Sequence, residues 1–173
     1  MPTTDPGLRH QGTLRALVLH GDGAARSQLQ RALEARGMAA TVAADGAAGV
    51  DQLLAELLWL DVLVVDLDLP VRDGRALAAL VRQAGNEQDL ALVIVADATT
   101  PALLRELRGL GVDAVVDRRD GSEAVAAAAV AAVRARRQAR EIELESWRAA
   151  PAAAPLGEVA WLAPESGGAA MVA

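Results

Sequence analysis

The chain has no cysteine, phenylalanine or tyrosine, and its only aromatic residues are Trp59, Trp147 and Trp161. Without cysteine there is no disulfide framework, thiolate nucleophile or Cys-ligated metal. With three aromatics in 173 residues the core has to be aliphatic, and stacking on bases or sugars is largely closed off. A basic excess is missing too. Lys and Arg number 17 against 23 Asp and Glu, a formal net charge of −6, which argues against general binding to nucleic acid or to anionic membranes. No apolar run approaches the roughly 18 residues that span a bilayer. The first residues, Met1 to Gly7, lack a basic stretch followed by an apolar one, so no signal peptide is expected and the expected location is cytoplasmic.

What is present is ample apolar material, 53% of the chain, nearly all of it Ala, Leu and Val. That suffices for one domain plus appendages. Residues 1–12 are rich in Gly, Pro and Thr and read as a flexible leader. From Leu14 onward short apolar runs alternate with longer amphipathic segments, the pattern of βα units around a parallel sheet. Strands are expected over residues 15–19, 40–43, 62–66, 90–96 and 114–116, here β1 to β5. Helices are expected over residues 24–36 and 47–58, from Asp73-Gly74 to a stop at Gly85-Asn86, from Thr100-Pro101 to Gly109, and from Ser122 onward, here α1 to α5. Thr100 followed by Pro101 is an N-cap with proline at the first helical position. Right-handed crossovers turn five such units into a flavodoxin-like, doubly wound five-stranded parallel sheet.

The last helix does not stop where a compact domain needs it to. Alanine-rich sequence runs without Gly or Pro past Arg134, Arg136, Arg137 and Arg140, then Glu141, Glu143 and Glu145, to about residue 150. Arg137 and Glu141 are placed for an i, i+4 pair. The predicted organisation is a domain over 13–138, a helical extension over 139–150 and an Ala/Pro/Gly-rich tail over 151–173. The extension reads either as a solvated overhang or as a device for dimerisation or partner docking. Ile142, Leu144 and Trp147 are spaced too irregularly for a plain coiled coil. In the tail, Val159-Ala-Trp161-Leu162 is an apolar island that reads as incidental or as a segment that docks.

The densest signal is Val62-Leu-Val-Val-Asp66-Leu-Asp-Leu-Pro70-Val-Arg-Asp73-Gly74. A buried strand ends in a carboxylate at the C-terminal edge of the sheet, where open α/β folds place their sites. With its Asp-x-x-x-Pro-x-x-Asp-Gly frame, the segment resembles the phosphoacceptor region of the response-regulator receiver (CheY-like) family. The resemblance covers roughly residues 13–138 and implies Asp66 as the phosphoacceptor position. In that family an acidic pair after β1 holds a divalent cation, a Ser/Thr hydroxyl ends β4, a lysine ends β5 and an aromatic on β5 relays the signal. Mapped here, the acidic pair falls on His20 and Gly21, with Asp22 one residue late. The hydroxyl position is Ala96, the lysine position Arg118, the proline after it Arg119 and the aromatic Val115. Asp68 takes the position that offers a backbone carbonyl to the metal.

His20 suits zinc or nickel better than Mg²⁺, and Arg118 keeps a positive charge with a planar fork in place of a point charge. Asp73-Gly74 is ascribed to turn chemistry. With so much replaced, the chain resembles an atypical receiver, a pseudo-receiver, in which Asp66 accepts hydrogen bonds from Arg118 and loop amides as a static ion pair. The expected role is phosphorylation-independent protein–protein contact by a non-enzyme that needs no cofactor. Its interaction face would be α4-β5-α5, carrying Arg105, Glu106, Arg108, Asp113, Val115, Asp117, Arg118 and Arg119, and able to support a two-fold homodimer. One alternative keeps Asp66 as a true phosphoacceptor, with Asp22 and Asp68 gathering Mg²⁺. Another makes the altered acidic pocket a small-molecule sensor. His20-Gly-Asp-Gly23 lacks both the G-x-G-x-x-G spacing and the P-loop lysine, so nucleotide binding is not favoured.

Overall fold

A computed structural model of the chain describes residues 12–56, 58–70, 73–83 and 90–149. The leader, the Gly85-Asn86 stop and the tail with Trp161 lie outside the described residues. The elements run β1 Leu14–Leu19, α1 Gly23–Glu34, β2 Met38–Ala43, α2 Gly46–Glu56, β3 Val62–Asp66, α3 Gly74–Gln83, β4 Ala91–Ala96, α4 Pro101–Gly109, β5 Ala114–Asp117, a 3-10 turn Arg118–Asp120, and α5 Gly121–Ala149. The five strands form one parallel sheet in the order β2-β1-β3-β4-β5.

The central strands β3 and β4 are buried along their whole length. A parallel strand covered on both faces has no side to give to polar residues, which is why these runs are continuously apolar. On one face Leu17, Leu19, Leu63, Val65, Leu92 and Ile94 meet Leu53 of α2, Leu77 and Val81 of α3, and Leu107 of α4. On the other, Ala16, Val18, Val64 and Val93 meet Leu29 and Leu33 of α1 and Val125, Ala126 and Ala129 of α5. Both layers are aliphatic throughout. Small alanines on the sheet-facing side of α5 let that helix sit close to β4 and to α1, and Arg36 at the end of α1 pairs with Glu123 at the start of α5.

The helix signals act where the sequence puts them. The Thr100 hydroxyl accepts from Leu103 N–H with Pro101 next to it. Gly37 leaves α1 at φ 78°, the left-handed conformation that favours glycine. Gly74 has a different reason from the turn chemistry assigned to it. A Cβ there would lie 2.7 Å from the Asp66 carbonyl oxygen and 3.0 Å from Leu67 Cα, so α3 begins pressed against the end of β3. Asp73 does serve the turn, its carboxylate accepting from Arg75 N–H. Among the described residues no helix is long and apolar enough to cross a membrane.

Candidate functional site

The C-terminal ends of β1, β3, β4 and β5 lie side by side, and the residues that follow them converge on Asp66. Asp66 is 3% exposed and His20, next after β1, is 2% exposed. Arg118 follows directly on β5 and reaches past the end of β4 to β3. Its Nη2 donates to Asp66 Oδ1 at 2.7 Å. The same oxygen accepts from Asp68 N–H at 3.2 Å. Arg118 Nε lies 2.9 Å from Asp97 Oδ1, but its N–H is not aimed at that oxygen, and no hydrogen bond forms. This guanidinium is held by charge on two sides while remaining partly exposed. The chain has no lysine, all 17 of its cations being arginine, so a point ammonium is available nowhere in the site.

His20 closes the other side. Its Nδ1 accepts from Asp22 N–H at 3.1 Å, which leaves the ring proton on Nε2 in the neutral form. Nδ1 is also 3.5 Å from Asp66 Oδ2, so two acceptors face each other across that gap. Burial pushes the His20 pKa down, Asp66 pulls it up, and Arg118 again lowers it. The net direction is down, toward a neutral imidazole.

The positions aligned with a cation pocket do different work here. Asp22 caps α1, accepting from Ala25 N–H at 2.7 Å, and that bond holds its carboxyl below the ordinary range. Gly21 presents no side chain, and the Pro70 ring stands 3.2 Å from where its Cβ would be. Arg26 Nη1 donates to the His20 and Gly21 carbonyls at 2.8 and 3.1 Å, bringing a fixed positive charge to the end of β1. Asp68 is exposed. A divalent metal needs several hard oxygens pointing to one place. Among the described residues no group of three or more His, Asp or Glu side chains does so.

On the α4-β5-α5 face, Arg105, Glu106, Arg108 and Arg119 are exposed and Val115 is half-buried against the core. Asp117 accepts from Arg119 N–H and shapes the turn after β5. Asp113 was expected among the outward charges of this face, but its carboxylate turns back into the domain. It accepts from Leu92 N–H at 2.7 Å and from Arg82 at 3.1 Å, and it pairs with Arg136 at 2.8 Å. The reason is Arg82, buried in the last turn of α3, whose guanidinium also donates to the Gly111 and Leu90 carbonyls and needs a counter-charge. Arg137 likewise reaches away from α5 to Asp61 at 2.9 Å.

Four residues of these clusters escaped the sequence reading: Arg26, Asp61, Arg82 and Asp97. Arg26 had a usable signal, being the cation one turn past the α1 N-cap. Asp61, Arg82 and Asp97 had none, since their partners are distant in sequence.

No protein-family profile and no curated protein matches this sequence. Solved structures do. The receiver domain of the putative response regulator NarL from Mycobacterium tuberculosis is 23% identical with a TM-score of 0.61, over 70% of this chain and 97% of that one. The chemotaxis response regulator CheY4 of Vibrio cholerae is 18% identical, TM-score 0.61, over 72% and 99%. The receiver domain of a putative Luxo repressor from Vibrio parahaemolyticus is 11% identical, TM-score 0.68, over 76% and 98%. At these identities the likeness is one of fold, and the fold is that of CheY-like receivers.

Proposed function

We propose that the chain is an atypical receiver of bacterial signal transduction, held in one state and acting by protein–protein contact without phosphorylation. The observation that carries this reading is the Arg118–Asp66 pair at 2.7 Å. A nucleophilic carboxylate needs a lone pair open to the incoming phosphorus and a divalent charge to offset the phosphoryl oxygens. One Asp66 oxygen is taken by Arg118 and the Asp68 amide, and the other faces His20 in a site 3% exposed. The Arg118 and Arg26 charges stand in part where a metal and a lysine would act, but a guanidinium tied to the acceptor stabilises its resting form. Ala96 and Val115 also lack the hydroxyl and the aromatic ring that would carry a change to the surface.

In this reading the output surface is the exposed side of α4, β5 and α5, and the partner is another signalling or regulatory protein. No reaction and no cofactor are needed. The test is incubation of the full chain with a small phosphodonor and Mg²⁺, followed by intact mass measurement. No adduct is expected. A single phosphoryl adduct that disappears in Asp66→Asn overturns the proposal in favour of a working phosphoacceptor.

A further inference from the structure

Two pairs of large apolar side chains are exposed at the same end of the domain. Leu58 and Trp59, 63% and 61% exposed, lie between α2 and β3. Leu144 and Trp147, 45% and 80% exposed, lie near the end of α5. The two regions are neighbours because Arg137 of α5 pairs with Asp61, two residues past Trp59. Beyond Arg137 the helix advances a further distance of about 18 Å at about 1.5 Å per residue. Its last buried residue is Val133. Helical spacing places Arg140, Leu144 and Trp147 on the continuation of the stripe that carries Ala129, Val133 and Arg136. The side of α5 that packs on the sheet thus runs on below the domain.

We propose that this overhang is a dimerisation element whose occupant is the same overhang of a second copy of the chain, lying antiparallel. Charge makes the choice. Glu141 and Arg148 are two turns apart on one edge of the stripe. In an antiparallel pair with its two-fold axis between Leu144 and Glu145, each Glu141 lies beside the second copy's Arg148, once on either side of the axis. A parallel pair in register puts the two Glu141–Arg148 edges on opposite flanks, so that neither Glu141 lies beside the second copy's Arg148. The segment is therefore self-complementary in one orientation, as an isologous contact requires. The same axis brings Leu144 against its symmetry mate and points each Trp147 toward the underside of the other domain, where Leu58 and Trp59 are. One contact covers both apolar pairs. Ile142, on the far side of the helix, takes no part. The contact is separate from the α4-β5-α5 face and does not depend on the state of Asp66.

The test uses the full chain in light scattering and sedimentation across a concentration series. A dimer is expected, and Trp147→Ala should weaken it about tenfold or more. Glu141→Arg alone should also weaken it, and adding Arg148→Glu should restore it. All these sites lie outside the buried core, so the variants should keep the parent's fold by circular dichroism. Because the chain has no cysteine, Leu144→Cys should form an interchain disulfide on mild oxidation, and Arg134→Cys should not. A monomer at every concentration, a charge reversal that fails to restore the dimer, or equal cross-linking through Arg134→Cys would each overturn the proposal.

Discussion

Asp66 and Asp113 sit at opposite edges of the same sheet with the same kinds of partner: a backbone N–H, and arginine. Asp66 receives the Asp68 amide and Arg118. Asp113 receives the Leu92 amide, Arg82 and Arg136. The arginines differ. Arg118 is 38% exposed and has Asp97 as a second counter-charge, so it can turn to water. Arg82 is buried, and its guanidinium is spread over Gly111, Leu90 and Asp113. The motif-bearing edge is thus the adjustable one, and an edge with no motif at all locks α3, β4 and α5 together. A charged cluster's contribution to stability follows from the burial of its cation more than from its resemblance to a known site.

Three measurements put this contrast at risk. The largest effect is expected for Asp113→Ala, which takes the Asp113 counter-charge from a buried guanidinium and the acceptor from the Leu92 amide. Urea unfolding should show a loss of about 3 kcal/mol, in the range for breaking one side of a buried pair. Arg118→Ala should cost less, about 1–2 kcal/mol, because Asp66 keeps the Asp68 amide and gains access to water. If Arg118→Ala proves the more damaging, the two edges have been ranked in the wrong order.

The smallest effect concerns His20. Its folded pKa is depressed, chiefly by burial, so below the ordinary value of about 6.5 the unfolded chain binds the proton more readily than the folded one. Stability should therefore fall as pH drops through that value, and His20→Gln should flatten this part of the curve. An unchanged slope in the variant would mean that His20 protonates in place at little cost, pairing with Asp66.

Much of the architecture could be read along the chain because it rests on local signals. The apolar run of β3 ends at Asp66 in both the reading and the structure, and the Thr100-Pro101 start of α4 is a cap formed within three residues. The absence of Gly and Pro after Gly121 carries α5 to Ala149. The Asp66–Arg118 pairing was anticipated through the receiver resemblance, which puts a cation after β5 close to the carboxylate that ends β3. The departures came where a side chain chose among distant partners. The carboxylate of Asp113, an exposed residue, pairs with Arg82, 31 residues away, and Arg137 took Asp61, 76 residues away. Gly74 was misread because close approach to β3 depends on how α3 docks.

Period and composition were enough for the elements, their order and an aliphatic core, since backbone preference and hydrophobic spacing act over a few residues. Which carboxylate meets which guanidinium is a different kind of choice. It depends on which ions the packing of helices on the sheet buries together, because desolvation leaves a buried arginine few alternatives. That packing gave Asp66 a bound partner, made Asp113 a hub, and left the end of α5 projecting from the domain.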